Sequence, residues 1–368
     1  MEYKFKNDKW YLDQYELNGF HIILYKGKTK YIGTSKEGIF HKNGILYPNE
    51  LKLYEGHFHN GKFEGTGICY DKNGKIVYKG NFEDNIYHGT GNLYLNGNIT
   101  YTGKFYKGKK KGFGIEYYRN GKEKYIGCWY NNEYEGYGTT FYKNGNKWYQ
   151  GDFIDSSWNG IGTYYNKDGR KIYKGEFIDC TFEGLGYAYN KEEDIIYEGQ
   201  FENNIWNGKG ILYTYDLNDE MYKYYEGSIK DMEIHGYGTS YYENGHINYK
   251  GEFKKGKFDG NGELYYPYNN FIKYTGNFKN GKYHGYGKLY NIEKLEYEGI
   301  FKNNVLLIDL EKDIKKIVDF SKKYNIEDID FLIKEDKILE ISNLFFEKKE
   351  EISNGHYIDI QNILMKLF

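Results

Sequence analysis

Three of the nine histidines recur at one position of a repeating string: His88, His235 and His284 each stand directly before a Gly-x-Gly. Imidazoles so placed could ligate a metal or move a proton. Shared ligation, however, needs them to converge within ~2 Å of one ion. The same position elsewhere holds Glu64, Lys111, Glu135, Asn159, Glu183, Asn207 and Asp259, so the column is simply polar. Its neighbours sit a full repeat apart, roughly 10 Å, which is too far for a common metal or for a retaining-type carboxylate pair at ~5 Å. The Gly-x-Gly strings lack a following helix and a Gly-Lys-Ser/Thr ending, so they are not phosphate loops. Neither a Gly-x-Ser-x-Gly string nor a kinase string occurs. Cys69, Cys128 and Cys180 are odd in number and far apart, with neither metal spacing nor a disulfide framework. The expectation is no catalytic residue, no metal and no cofactor.

What positions these residues is a repeat. The string Tyr-x-Gly-x-aromatic begins at Tyr54, Tyr78, Tyr101, Tyr125, Tyr149, Tyr173, Tyr197, Tyr225, Tyr249, Tyr274 and Tyr297, a period of about 24 residues. It is followed at fixed offset by Gly-x-Gly-x-x-aromatic, ending on residues such as Tyr70, Tyr94 and Tyr117. Each repeat reads as two strands, typified by Trp148 to Phe153 and Gly160 to Tyr165. Asn73-Gly74, Asn96-Gly97, Asn120-Gly121, Asn144-Gly145, Asp168-Gly169 and Asn244-Gly245 predict type I′ turns after the second strand. Composition agrees: Gly 47 and Tyr 46 against Pro 2, aromatics 20% and a mean hydropathy of −0.86 fit short strands with a core of rings.

Side chains alternate faces along a strand. The repeat glycines Gly56, Gly65, Gly67, Gly80, Gly89, Gly91, Gly103, Gly112 and Gly114 therefore leave bare backbone for rings from neighbouring strands to cover. The ring pairs are Tyr54 with Phe58, Tyr78 with Phe82, Tyr101 with Phe105, Tyr125 with Trp129 and Tyr149 with Phe153. They continue as Tyr173 with Phe177, Tyr197 with Phe201, Tyr249 with Phe253 and Tyr274 with Phe278. These aromatics are expected to stack in columns and to form both the core and a groove for a partner. A repeat that cannot bury its own rings depends on its neighbours. At ~4.8 Å per strand, ten or eleven repeats predict a ribbon about 100–120 Å long.

The pattern Tyr-x-Gly-x-Phe, six residues, Gly-x-Gly-x-x-Tyr resembles the MORN repeat (membrane occupation and recognition nexus). Ten copies run across residues 54–296, with a half copy at Tyr297, Gly299 and Phe301. A decayed copy lies at Tyr31, Gly33 and Gly44, where Ser35 and Lys42 replace the aromatic and the first glycine. The expected fold is mainly β, an elongated single-layer antiparallel sheet of about eleven hairpins with a small α-helical C-terminal element. Expected domains are a strand cap over 1–30, the array over 31–304 and a helical cap or docking element over 305–368. The repeat at Tyr225 departs most: Ile229 and Ile234 replace its column aromatics, and four extra residues around Asp216 to Glu220 precede it. Two readings of that insertion stand, a tolerated surface loop and a bend or partner site.

The resemblance implies a non-enzymatic scaffold linking cytoskeletal or membrane-associated assemblies in the cytoplasm. Its partners would be extended or helical protein segments. A homodimer through an array end or the C-terminal helices is an open reading. The alternative is a peripheral phosphoinositide-binding module, for which Lys107, Lys109, Lys110 and Lys111 form the local basic cluster. A net charge of −2 offers no field toward nucleic acid. The polar N-terminus, Glu2 and the absence of an apolar run near 18 residues predict no secretory signal, no myristoyl group and no spanning helix.

Overall fold

The computed structural model describes residues 3–6, 9–12, 15–309 and 322. Of the helical element expected over 305–368, Val305–Asp309 is instead a strand paired with Lys294–Lys302, because its residues continue the sheet, and the rest lies outside the described residues apart from Lys322. Two compact units are present, Met1–Phe182 with Lys191–Glu193, and Glu183–Asn190 with Asp194–Phe368. In both, successive strands pair antiparallel in chain order, giving 25 strands from Gly19–Tyr25 to Val305–Asp309. A separate sheet of three short strands, Tyr3–Lys6, Lys9–Leu12 and Tyr15–Glu16, lies at the N-terminus.

One hairpin shows how the repeat folds. Strand Tyr54–His59 pairs with strand Lys62–Tyr70, setting Gly56 opposite Gly67 and Phe58 opposite Phe63. Between these pairs lies a bulge in which only His57 faces Glu64, Gly65 and Thr66. The two glycine columns therefore have different tasks. Gly65 sits in the bulge at φ +60°, where an added Cβ would have room. Gly67 lies under the Tyr54 ring, and a Cβ there would be 2.4 Å from Cε2. Gly89 and Gly112 share the positive φ of the bulge, with the side chains of Asn81 and Lys104 closer to an added Cβ, and Gly91 and Gly114 repeat the second role. The covering ring reaches both glycines of the pair: Tyr54 lies two residues before Gly56 on its own strand and over Gly67 on the neighbouring one, as alternation suggested.

The rings interlock rather than stack in columns. Tyr54 lies face to face with Phe63 at 3.8 Å and meets Phe58 and Phe82 edge-on at 5.0 and 5.2 Å. Edge-to-face contacts complement the ring quadrupole, and parallel columns of identical rings would not. Tyr54 is fully buried, and its hydroxyl donates to the carbonyl of His57 at 2.9 Å. Tyr78, Tyr149 and Tyr274 make the same bond to Asn81, Asp152 and Asn277.

The turns are distributed differently from the expectation. Asn96-Gly97 has two positive φ values, but at Gly74, Gly121, Gly145, Gly169 and Gly245 only the glycine does. At Gly74 and Gly169 a side chain two residues before the Asn/Asp, Asp71 and Asn166, accepts from the backbone N–H of Asn73 and Lys75 and of Asp168 and Arg170, and at Gly121, Gly145 and Gly245 the Asn itself accepts from the N–H of Lys122, Asn146 and His246. This self-bonded loop relieves the Asn/Asp of the left-handed conformation. Turns with positive φ at both central residues close the other end of each hairpin, at Asn60-Gly61, Lys107-Gly108 and even Asp231-Met232.

The decayed first copy is complete in structure. Tyr31 is fully buried, stacks on Phe40 at 3.9 Å and bonds the carbonyl of Thr34. Lys42 takes the bulge glycine's place at φ 56°, and the buried Ser35 donates to Leu17. The extra residues before Tyr225 lengthen the hairpin, adding the pairs Thr214↔Tyr222 and Tyr215↔Met221.

Candidate functional site

The aromatics expected to line a partner groove are the core itself. Tyr54, Tyr78, Tyr101, Tyr125, Tyr149, Tyr173, Tyr197, Tyr249 and Tyr274 are each 0% exposed. Phe58, Phe82, Phe105, Trp129, Phe153, Phe177, Phe201, Phe253 and Phe278 are buried with them. Burial pushes the phenol of Tyr197 up to about 12 and those of Tyr54, Tyr78 and Tyr101 further. A sheet with no second layer makes its core from the rings on one face, so these rings are closed to solvent.

The opposite face is the open one. In the first unit it forms a trough of about 780 Å³ whose floor is the backbone of Gly67, Gly80, Gly91 and Gly103. Thr66, Ile68, Lys79, Thr90, Lys104 and Phe113 wall it. A second trough of about 610 Å³ lies in the second unit over Gly186, Gly199, Gly210, Gly227 and Gly238, walled by Leu185, Tyr187, Ile211, Tyr237 and Tyr241. Both are built from a strip of backbone flanked by the side chains that alternate away from the rings. No titratable cluster sits on either floor. Among the described residues no group of three His, Cys, Asp or Glu has a geometry that could hold a metal.

The lysine cluster divides. Lys107, Lys109 and Lys111 are exposed, with Lys111 Nζ 4.7 and 5.4 Å from the rings of Tyr106 and Tyr130. Lys110 points the other way, into the ring ladder, and does not belong to a basic surface. It fills the slot that holds Phe63, Tyr87 and Tyr134 in other repeats. Its Nζ lies 4.1 Å from the Trp129 ring and 3.4 Å from Glu116 Oε1. Lys124 Nζ at 2.9 Å and Tyr134 Oη at 2.5 Å also reach Glu116 Oε2. Burial presses the Lys110 ammonium below its ordinary value, and Glu116 opposes this. Burial lifts the Glu116 carboxyl, but the bonds from Tyr134 and Lys124 and the charge of Lys110 outweigh it, leaving the group below its usual range.

The histidines remain apart. His88 Nδ1 is 2.6 Å from Glu83 Oε2, and its ring meets Tyr106 edge-on. His235 and His284 are half-buried in their own repeats. Periodicity missed a different pair, His41 and His59, whose ring centroids are 5.5 Å apart on neighbouring strands. Burial and the charges of His59, Lys36, Lys42 and His57 depress the His41 pKa. The signal that could have found the Lys110 cluster was a lysine at an aromatic position of the repeat.

A family model described as MORN repeat matches nine stretches: residues 54–76, 78–98, 101–123, 125–147, 149–169, 197–217, 225–247, 249–267 and 274–291. Together they cover more than half of the 368 residues. Residues 173–196, which carry Tyr173, Gly175 and Phe177 of the repeat string, have no match, although Tyr173 is buried and stacked on Phe182 like its counterparts. No curated protein matches the chain.

Proposed function

The chain belongs to the MORN-repeat family, a family of interaction modules without catalysis, and from that premise we propose that it is a non-enzymatic scaffold that seats segments of partner proteins on its open face. One observation carries this reading. Each unit has a trough of several hundred Å³ on the face away from the rings, with a backbone floor and mixed polar and apolar walls. Strand backbone there is already paired within the sheet, so a segment would be held by side chains: hydrogen bonds from Thr66, Thr90 and Lys79, and apolar contact with Phe113 or Tyr237. Cytoskeletal or membrane-associated assemblies in the cytoplasm are the setting proposed.

Proximity labelling tests this with the full chain and a variant carrying Thr66→Arg, Thr90→Arg and Tyr237→Arg, which crowds both troughs. Loss of a defined set of neighbours in the variant, at unchanged melting temperature, is the expected result. An identical set of neighbours would overturn the trough reading.

The alternative, phosphoinositide binding, has one observation of its own: Lys104, Lys107, Lys109 and Lys111 share the open face around Tyr106. Such a cluster gains about 1 kcal/mol per charge near an anionic surface. Co-sedimentation with phosphoinositide vesicles at physiological salt, abolished by Lys109→Gln with Lys111→Gln, would support it. Failure to pellet would sink it.

A further inference from the structure

The open face of the first unit carries an apolar stripe of which only Phe113 also walls a trough. Two slots of the repeat point outward there: the residue after the column aromatic, and the residue between the two glycines of Gly-x-Gly. In four consecutive repeats the first slot holds Tyr106, Tyr130, Ile154 and Ile178, which are 46–60% exposed. In three of the same repeats the second slot holds Phe113, Tyr137 and Ile161, 57–59% exposed. Earlier in the unit the two slots hold Glu83 and Thr66 or Thr90. In the second unit Leu185 and Tyr237 fill the second slot, and the companion of Tyr237 is Lys230. The stripe is thus confined to one stretch of the sheet. Exposed apolar side chains scattered singly need no explanation, whereas a contiguous row does.

Charge is distributed lengthwise along the same stretch. Its first hairpin presents Lys104, Lys107, Lys109 and Lys111 with no acidic group among them. From strand Glu133–Phe141 onward the same half of the face, beside the Asp155-Ser156 and Asp179-Cys180 turns, presents Glu133, Glu135, Asp152, Asp155, Glu176 and Asp179, while Lys174 lies at mid-strand and Lys147 and Lys171 at the opposite ends of their strands. A patch that is apolar along its middle, basic at one end and acidic at the other is complementary to itself when turned end for end. A two-fold axis does this, because an isologous interface sets each residue against its opposite number. Seven side chains with about half their surface open present on the order of 800 Å², the share one partner contributes to an interface of standard size. A flat apolar centre with a polar rim is also the usual anatomy of such an interface.

We propose that this stripe is an antiparallel, two-fold interface between two copies of the chain, with Lys109 and Lys111 of each copy facing Glu176 and Asp179 of the other. The inference is independent of trough binding, since Ile154, Ile161 and Ile178 line neither trough.

Sedimentation velocity of the full chain at micromolar concentration is expected to show a dimer. Ile161→Asp, on an exposed position, should give a monomer with an unchanged far-UV spectrum and melting temperature. A chain carrying Lys109→Glu and Lys111→Glu, and another carrying Glu176→Lys and Asp179→Lys, should each dimerise at least tenfold more weakly. Mixed together, they should recover a dimer, because the reversed charges again face opposite signs. A monomeric wild-type chain, or a dimer indifferent to Ile161→Asp, overturns the proposal. So does a wild-type monomer that uses the same stripe to pellet with lipid vesicles, or charge-reversed chains that fail to pair when mixed.

Discussion

Lys110 Nζ stands 4.1 Å from the centroid of the Trp129 ring and 4.7 Å from that of Tyr101. It occupies the place of a ring in a ladder made, apart from Ile229 and Ile234 of the Tyr225 repeat, of rings. The indole NH of Trp129 donates to Gly114 at 3.3 Å, so the tryptophan is fixed from one side while the ammonium covers it from the other. Glu116, held also by Lys124 and Tyr134, supplies the balancing charge. The hairpin Asn98–Tyr106 to Lys109–Tyr117 thus exchanges an aromatic stack for cation–π contact and an ion pair.

Replacing that lysine by a ring should make the protein more stable. Lys110→Phe restores the stack on Tyr101 and leaves Glu116 paired with Lys124, so a gain of about 1 kcal/mol is expected. Glu116→Ala leaves the Lys110 charge half-buried without its carboxylate and should cost ~1–3 kcal/mol. Urea unfolding of both variants checks this, and a loss in the Lys110→Phe protein would refute the ladder assignment.

The two glycine columns should respond differently to the same substitution. A methyl group at Gly67 would sit 2.4 Å from the Tyr54 ring and force it aside, at a cost of roughly 3 kcal/mol or more. At Gly65 the space is free and the cost is the left-handed backbone alone, ~1–2 kcal/mol. Equal losses for Gly67→Ala and Gly65→Ala in denaturant titrations would contradict the distinction.

The Asp231-Met232 turn has scope for improvement. Asn85, Asn132 and Asn304, in the equivalent position of other turns, each accept a hydrogen bond from the backbone N–H of the preceding hairpin, at Phe63, Lys110 and Tyr283. Met232 lies in the same left-handed conformation, with φ 64°, and has no oxygen to offer. Met232→Asn should raise stability by ~1 kcal/mol, from the added bond and an easier backbone. A thermal melt no higher than that of the parent protein counts against it.

Alkali should unfold the protein cooperatively. The core phenols are held above their ordinary value, first by burial, Tyr197 and Tyr283 to about 12 and others further. In the unfolded chain tyrosine ionises near pH ~10. Above that pH the unfolded state has lost protons that the folded state retains, so stability falls as pH rises; below it these groups contribute no pH dependence. Absorbance at the phenolate band should show the exposed tyrosines titrating first and the buried ones appearing together with loss of circular dichroism. A single smooth titration with structure retained throughout would be the contrary result.

Local chemistry made the hairpins legible. Tyr-x-Gly-x-Phe can only alternate, and a 24-residue period can only stack. The strands begin earlier than the glycines suggest: Ser157–Tyr165, for example, includes Trp158, which stacks on Tyr149 at 4.7 Å. That second aromatic column lay in plain view, but its place beside the tyrosine ring depends on the bulge, which shifts register by two residues and leaves alternation intact. Turn chemistry misled for a similar reason. Asn-Gly favours a two-residue turn in isolation, but Asp71 and its counterparts bond the loop from within and select another geometry.

By itself the sequence determined that rings and glycines build a one-layer repeat sheet, because periodicity of side chains is a property of the backbone. Which face those rings close was decided only by the tertiary structure. A tyrosine folded over two glycines closes the rings of its face to solvent and leaves the troughs on the other. The same geometry sent Lys110 inward and Lys109 and Lys111 outward from one basic run. Adjacent residues on a strand face opposite ways, and only pairing across the bulge decides which way is in.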